Sequence, residues 1–235
     1  MCARERTQNP YFINTPTRMK KLLYLIAFII TGSSLTVKGQ SETKAKSILA
    51  EVSKKYKSYD VIKADFTFTL NNPQSKINET QSGTLFVRSK ANKYKVIFKD
   101  QEIISNGINQ WTYLKEDKEV QLSEVNNGSD ALNPAKIFTI YEKGFKSLYT
   151  HDSKGNGRIY HHIELTPLAA KGSFFKIKLK VDKLNKQIVN AIIYDKNGSH
   201  YTYTIKTFSP NVKVPESTFA FDSKKYPGVE VVDLR

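Results

Sequence analysis

From Val61 the apolar positions fall two apart. Ile62, Ala64, Phe66, Phe68 and Leu70 alternate with Lys63, Asp65, Thr67 and Thr69, which is the period of a strand with one buried face. Just before it the period is helical. Ala45, Ile48, Leu49, Val52 and Tyr56 form one stripe of a helix predicted over Ser41 to Tyr59, with Lys54, Lys55 and Lys57 largely off the stripe and Ser41 as its N-cap. Asn71-Asn72-Pro73 breaks the first strand, and the next two are predicted over Gly83 to Arg88 and Lys93 to Lys99, around a turn at Lys90-Ala91-Asn92. Ile104 to Leu122 reads as a meander, because Asn106-Gly107 accepts the positive φ that a tight hairpin turn needs. Trp111 and Tyr113 share one face of the strand after that turn. Glu116-Asp117 makes the next turn, Val120 and Leu122 return together, and one face of the meander is therefore apolar.

Asn126-Asn127-Gly128-Ser129 interrupts the strands. Pro134 to Glu142, with Ile137, Phe138 and Tyr141 on one side and Gly144 at its end, is predicted as a short amphipathic helix whose first turn holds the proline. Strands resume over Arg158 to Leu165, Phe174 to Asp182, Ile188 to Asp195 and Tyr201 to Phe208, with Asn197-Gly198 as a second hairpin turn. Pro210, Pro215 and Pro227 mark an extended tail. The pattern amounts to roughly ten strands and two helices, a mostly β member of the α+β class, with no fixed-period repeat.

The amino-terminal residues belong to a different pattern. Met19-Lys20-Lys21 precedes an apolar run from Leu22 to Ile30, followed by small and polar residues to Gly39-Gln40, the order of a secretory signal peptide. The run is shorter than the ~20 residues of a spanning helix. Met19 is accordingly read as the start, residues 1–39 as upstream sequence plus signal peptide, cleavage as falling near Gly39-Gln40, and residues 40–235 as one periplasmic domain. The chain holds 37 Lys and Arg against 22 Asp and Glu, a net charge of +15, and stays clearly basic after removal of the leader. Export makes nucleic acid an unsuitable partner. Lysines such as Lys176, Lys178 and Lys180 alternate with Phe175, Ile177 and Leu179, as on the solvated face of a sheet. The single cysteine, Cys2, lies in the leader, so neither a disulfide nor lipidation is expected of the exported form, which is read as a soluble monomer.

Catalytic patterns are weak, and the chain is not read as an enzyme. His151, Asp152 and Ser153 are sequence neighbours, unlike the dispersed members of a nucleophile relay, and no Gly-x-Ser-x-Gly elbow occurs. His161 and His162 are adjacent on a strand and point to opposite faces, so they do not share a metal there. No phosphate loop, dinucleotide fingerprint or metal spacing is present, and no cofactor is expected.

The abundant feature is one-sided apolar surface. Phe66, Phe68, Leu85, Val87, Tyr94, Val96, Trp111, Ile177 and Leu179 are the candidate lining of a cavity that a sheet curled into a barrel or half-barrel would enclose. The alternative is a plain core buried against the helices. Several short pieces in order resemble the LolA-type periplasmic carriers of outer-membrane lipoproteins. They are Ala64-Asp65-Phe66, Ser82-Gly83-Thr84-Leu85, Ile104-Ser105-Asn106-Gly107 with Trp111-Thr112-Tyr113, Asn133-Pro134-Ala135, Leu165-Thr166-Pro167, and Phe219-Ala220-Phe221 with Gly228-Val229.

That resemblance implies an unclosed antiparallel β-barrel with a helical lid and an apolar cavity that shields lipoprotein acyl chains in transit, without catalytic residues. The lid would be the Ile137, Phe138 and Tyr141 helix. Many members carry a basic-Arg-Pro run whose arginine latches the lid. Here the run is Val87-Arg88-Ser89-Lys90, without the proline, which leaves Arg88 as the latch residue. The implied partners are lipoproteins, the inner-membrane ABC transporter that releases them, and an outer-membrane acceptor whose identity stays open. A lipid-binding or envelope-sensing module on the same half-barrel, which does not ferry lipoproteins, is the alternative function.

Overall fold

The computed structural model describes residues 34–125, 138–169 and 172–235. The chain divides into two units, 1–40 and 41–235, and the second carries all the described strands. Helix α1 spans Ser34–Ser58. Among the described residues, twelve strands follow in one sheet, arranged β12-β6-β5-β4-β3-β2-β1-β11-β10-β9-β8-β7. They are β1 Ile62–Asn72, β2 Ile77–Arg88, β3 Lys93–Ile97, β4 Gln101–Ser105, β5 Asn109–Leu114, β6 Glu119–Glu124, β7 Phe145–Gly155, β8 Arg158–Pro167, β9 Phe174–Asp182, β10 Gln187–Asp195, β11 His200–Pro210 and β12 Glu230–Asp233. Two meanders, β1 to β6 and β7 to β11, are joined where β1 pairs antiparallel with β11. β7 and β12 are the two ends of the sheet and do not pair, so the result is an unclosed half-barrel.

Register shows which side is buried. Ile62, Ala64 and Phe66 lie opposite Val87, Leu85 and Gly83, and Leu85 and Val87 lie opposite Val96 and Tyr94. These form the inner face, which packs with the α1 stripe Ala45, Ile48, Leu49, Val52 and Tyr56 into one core that also takes in Ile163, Ile177 and Leu179. The Tyr56 hydroxyl accepts from the Ile188 amide at 2.9 Å and ties α1 to β10, close to a register shift at Ile188/Asn190 that locally bends the strand.

Several expectations change. The helix begins seven residues before Ser41, which is therefore not its N-cap; the Ser41 hydroxyl instead donates to the Tyr149 carbonyl of β7. β2 starts at Ile77 rather than at Gly83, and β7 and β12 are strands that the periodicity did not show. Of the predicted helix over Pro134 to Glu142, residues 134–137 lie outside the described residues, and the remaining five are not α-helical. Its described end is a turn followed by a short 3-10 segment, Ile140–Glu142.

The buried side of the sheet changes along its width. On β5, Gln110 and Thr112 continue the inner face, opposite Ser105 and Ile103. Trp111 and Tyr113 point outward, opposite Leu122 and Val120 of β6. The apolar face of the meander is thus its outer side. It is covered by the carboxy-terminal segment: Phe221 stacks on Trp111 with centroids 6.2 Å apart, Tyr226 meets Tyr113 at 4.8 Å, and the Tyr226 hydroxyl donates to Glu102 at 3.2 Å. β12 then adds parallel to β6.

Candidate functional site

A cavity of about 290 Å³ opens on the inner face. Its walls come from both meanders: Phe66, Leu85, Val96, Phe98 and Ile103 on one side, and Leu179, Ile188, Ala191, Tyr203 and Ile205 on the other, with Gln110 and Phe138 completing the lining. The strand period places these residues. Phe66, Leu85, Val96 and Ile103 occupy one row across four paired strands or lie one pleat from it.

Two devices keep the space open and dry. Gly83 sits opposite Phe66, and a Cβ there would come within 2.8 Å of the Phe66 ring and 3.0 Å of the Phe98 ring. Only glycine lets both rings lie against the strand, where they meet edge to face at 5.7 Å. Phe138 is 3% exposed, and its ring lies 4.7 Å from Tyr56 of α1 and 6.0 Å from Phe208. The segment that carries Phe138 therefore docks on the helix and the sheet together.

The polar groups of the wall stay neutral. The Tyr94 hydroxyl donates to Gln110 Oε1 at 2.5 Å. Burial pushes the Tyr94 phenol up to about 12, and does the same to Tyr203. Among the described residues the lining holds no ionised group, and the cavity offers an apolar chain burial.

The residues expected at this site separate into groups. Phe66, Leu85, Val96, Leu179 and Phe138 line the cavity. Val87, Tyr94, Ile177 and Tyr141 are buried in the core around it, and Phe68 is half-buried on the Tyr201 and Tyr203 rings. Ile137 lies outside the described residues. Trp111 is on the opposite face, because alternation pairs it with Tyr113 and Leu122 under Phe221, and it does not line the cavity.

Arg88 also points outward, since its neighbour Val87 takes the inner position. Its guanidinium Nε is 3.1 Å from Asp60, another of its nitrogens pairs with Glu216, and it lies 5.4 Å over the Phe219 ring. It holds the carboxy-terminal segment rather than a lid. Phe98, Ile103, Gln110, Ile188, Ala191, Tyr203 and Ile205 were not among the expected lining residues. The alternation of Tyr203 and Ile205 with Thr202 and Thr204 carried a signal for two of them.

The histidines form two separate pairs. His161 meets Asp152 at 2.5 Å, while His162 bonds Ser153 at 2.7 Å on the other face and stacks on His151 at 4.3 Å. The carboxylate and the serine thus serve different imidazoles, and no nucleophile relay is assembled. Among the described residues no group of three His, Cys, Asp or Glu is placed to hold a metal. No described helix is long and apolar enough to cross a membrane.

Residues 57–222 match the family model described as outer membrane lipoprotein carrier protein LolA. The chain belongs to the LolA family. Solved structures are similar to it at low identity. An uncharacterized conserved protein from Thermus thermophilus matches with a TM-score of 0.51 at 13% identity, covering 81% of this chain and 99% of its own. A LolA superfamily protein from Nitrosomonas europaea matches at 0.43 and 12%, covering 75% and 97%. The lipoprotein LppX from Mycobacterium tuberculosis matches at 0.44 and 11%, covering 74% and 100%. A search of curated proteins finds no match. The family is one of binding and carrier proteins rather than an enzyme family, and the match supports a lipid- or lipoprotein-binding or envelope module.

Proposed function

We propose that the protein is a periplasmic carrier that takes lipoprotein acyl chains into the inner-face cavity and moves them from the inner to the outer membrane. The observation that carries this reading is the lining itself, among the described residues eleven apolar or aromatic side chains with Gln110 as the single amide. At ~0.8 kcal/mol per buried methylene, a chain of a few carbons outweighs any contact Gln110 could add. The volume of about 290 Å³ is at the lower end of the ~300–1,000 Å³ typical of ligand pockets, so part of one chain fits without movement. Displacement of Phe138 would lengthen the space, and return of Phe138 would expel the chain to an acceptor of higher affinity. The partners in this scheme are acylated lipoproteins, an inner-membrane ABC transporter that releases them and an outer-membrane acceptor, with export completed by cleavage near Gly39-Gln40.

Mass spectrometry of protein purified from its native periplasm tests the reading. Triacylated lipoprotein retained in stoichiometric amount is the expected result. Free phospholipid alone would overturn the carrier function and leave a lipid-binding or sensing module.

A further inference from the structure

The outer face of the second meander carries a row of cations seated on aromatic rings. Lys176, Lys178 and Lys180 leave β9 on the side opposite the buried Ile177, Leu179 and Val181. Lys176 Nζ is 5.9 Å from the Phe175 ring and 5.5 Å from Tyr194, Lys178 Nζ is 5.4 Å from Tyr194, and Lys180 Nζ is 4.2 Å from Tyr160. Each amine lies within the ~6 Å over which a ring attracts a cation. The stems are therefore laid along the rings and the charges are held in a line, one every ~6.8 Å as the pleat dictates. The acidic group in this row is Glu164, 3.6 Å from Lys178; among the described residues Lys176 and Lys180 have no carboxylate partner. Alternation sets Phe175 with Ile177 and Leu179, but the register irregularity at Tyr194/Asp195 turns Phe174 inward instead, and Phe175 stays 47% exposed beside the lysines.

We infer that this face docks on an anionic membrane surface, with the three lysines among headgroup phosphates and the Phe175 ring at the interface. Charge complementarity selects the occupant. The amines are spread along a strand instead of converging on one point, so they suit a continuous layer of phosphates better than a single bound anion. An exposed phenyl ring among lysines is the composition that such an interface buries. The cavity lies on the other face of the sheet, so the inference stands whether or not the cavity carries lipoprotein.

The test is flotation of the exported chain with vesicles of phosphatidylcholine alone or with one third phosphatidylglycerol, at low and high salt. Parent protein is expected to float with the anionic vesicles only, and to be released by salt. Each lysine at such a surface is worth roughly five-fold in partition, so K176Q/K178Q/K180Q together should weaken binding on the order of a hundred-fold. A charge-matched control, K54Q/K90Q/K213Q, changes exposed lysines elsewhere and should retain most of the binding; circular dichroism checks that both variants are folded. F175S should bind several-fold more weakly at every salt concentration. Equal loss in the two triple variants would reduce the effect to net charge and overturn the site. Failure of the parent to prefer anionic vesicles would overturn membrane docking and leave an acidic protein as the partner of this face.

Discussion

Gly83→Ala is a small change that should narrow the cavity without unfolding the protein. The added methyl would stand 2.8 Å from Phe66 Cζ and 3.0 Å from Phe98 Cε1, whereas carbon atoms in contact prefer roughly 3.5–4.0 Å. Both rings must retreat by about an ångström, and the open volume in front of them is the cavity they line. Overpacking of this kind costs about 1–3 kcal/mol. In a domain of this size each kcal/mol lowers Tm by about 2–4 °C, so a loss of roughly two to twelve degrees is expected. If the rings displace the room for one or two methylenes, at about 0.8 kcal/mol each, affinity for an acyl chain falls about four- to fifteen-fold.

Calorimetric melting paired with titration of a fluorescent long-chain acyl probe measures both effects. The double variant Gly83→Ala/Phe98→Leu returns space beside the new methyl and should recover most of the affinity. A folded Gly83→Ala protein that binds the probe as tightly as the parent would refute the argument, because the chain would then occupy some other surface.

Three further outcomes are expected. Trp111 emission should stay unchanged when an acyl probe saturates the protein and should move to the red in Phe221→Ala, since its neighbour is that ring and not the cavity; a ligand-induced shift would contradict the outward placement. Asp182 is buried, yet the amides of Asn185 and Leu184 and the Arg158 guanidinium outweigh that burial and hold its carboxyl below the usual range. Its stabilising effect is therefore complete above the unfolded value of ~3.9 and is lost as pH falls through the lower folded value. Asp182→Asn should cost about 1–3 kcal/mol at neutral pH and flatten the acid limb of stability in urea melts from pH 2 to 7; an unchanged limb would remove Asp182 from the account. Phe138→Glu would set a carboxylate against Tyr56 and the cavity wall, so it should stay folded but fail to retain lipoprotein released from spheroplasts; unimpaired release by a folded variant would deny the Phe138 segment a role as lid.

Periodicity revealed the strands that have one wet face and one dry face, and it failed where neither face or both faces are dry. β1 shows the first case, with Ile62, Ala64 and Phe66 buried in turn. β7 shows the second: of its eleven residues only Ser147 is buried, so the strand has no apolar alternation to display and is held by pairing with β8. The polar start of β2, from Ile77 to Ser82, is strand for the same reason, paired with β1 beyond the core. Cavity residues were harder to find than core residues. Ala191 and Gly83 line or underlie the space because they are small, and the pattern of apolar positions does not distinguish a small residue that fills a core from one that leaves room.

Trp111 shows the remaining limit, and its misplacement follows from the architecture. Alternation correctly joined it to Tyr113, but alternation says only which residues share a face. Which face is inner depends on groups outside the hairpin: Tyr94, bonded to Gln110, on one side, and Phe221 and Tyr226 on the other. Because Phe219, Phe221 and Tyr226 cover the outer side of β4 to β6, those strands bury their large side chains outward. On the inner side they present Ser105, Gln110 and Thr112, with Ile103 as the one large apolar side chain among these four. The cavity consequently meets a small, hydrogen-bonded wall at Tyr94 and Gln110 where a continued inner core would have filled it. A sheet that buries opposite faces at its two ends can thus be stable without packing its inner side solid, and the unpacked part is the space proposed for the acyl chain.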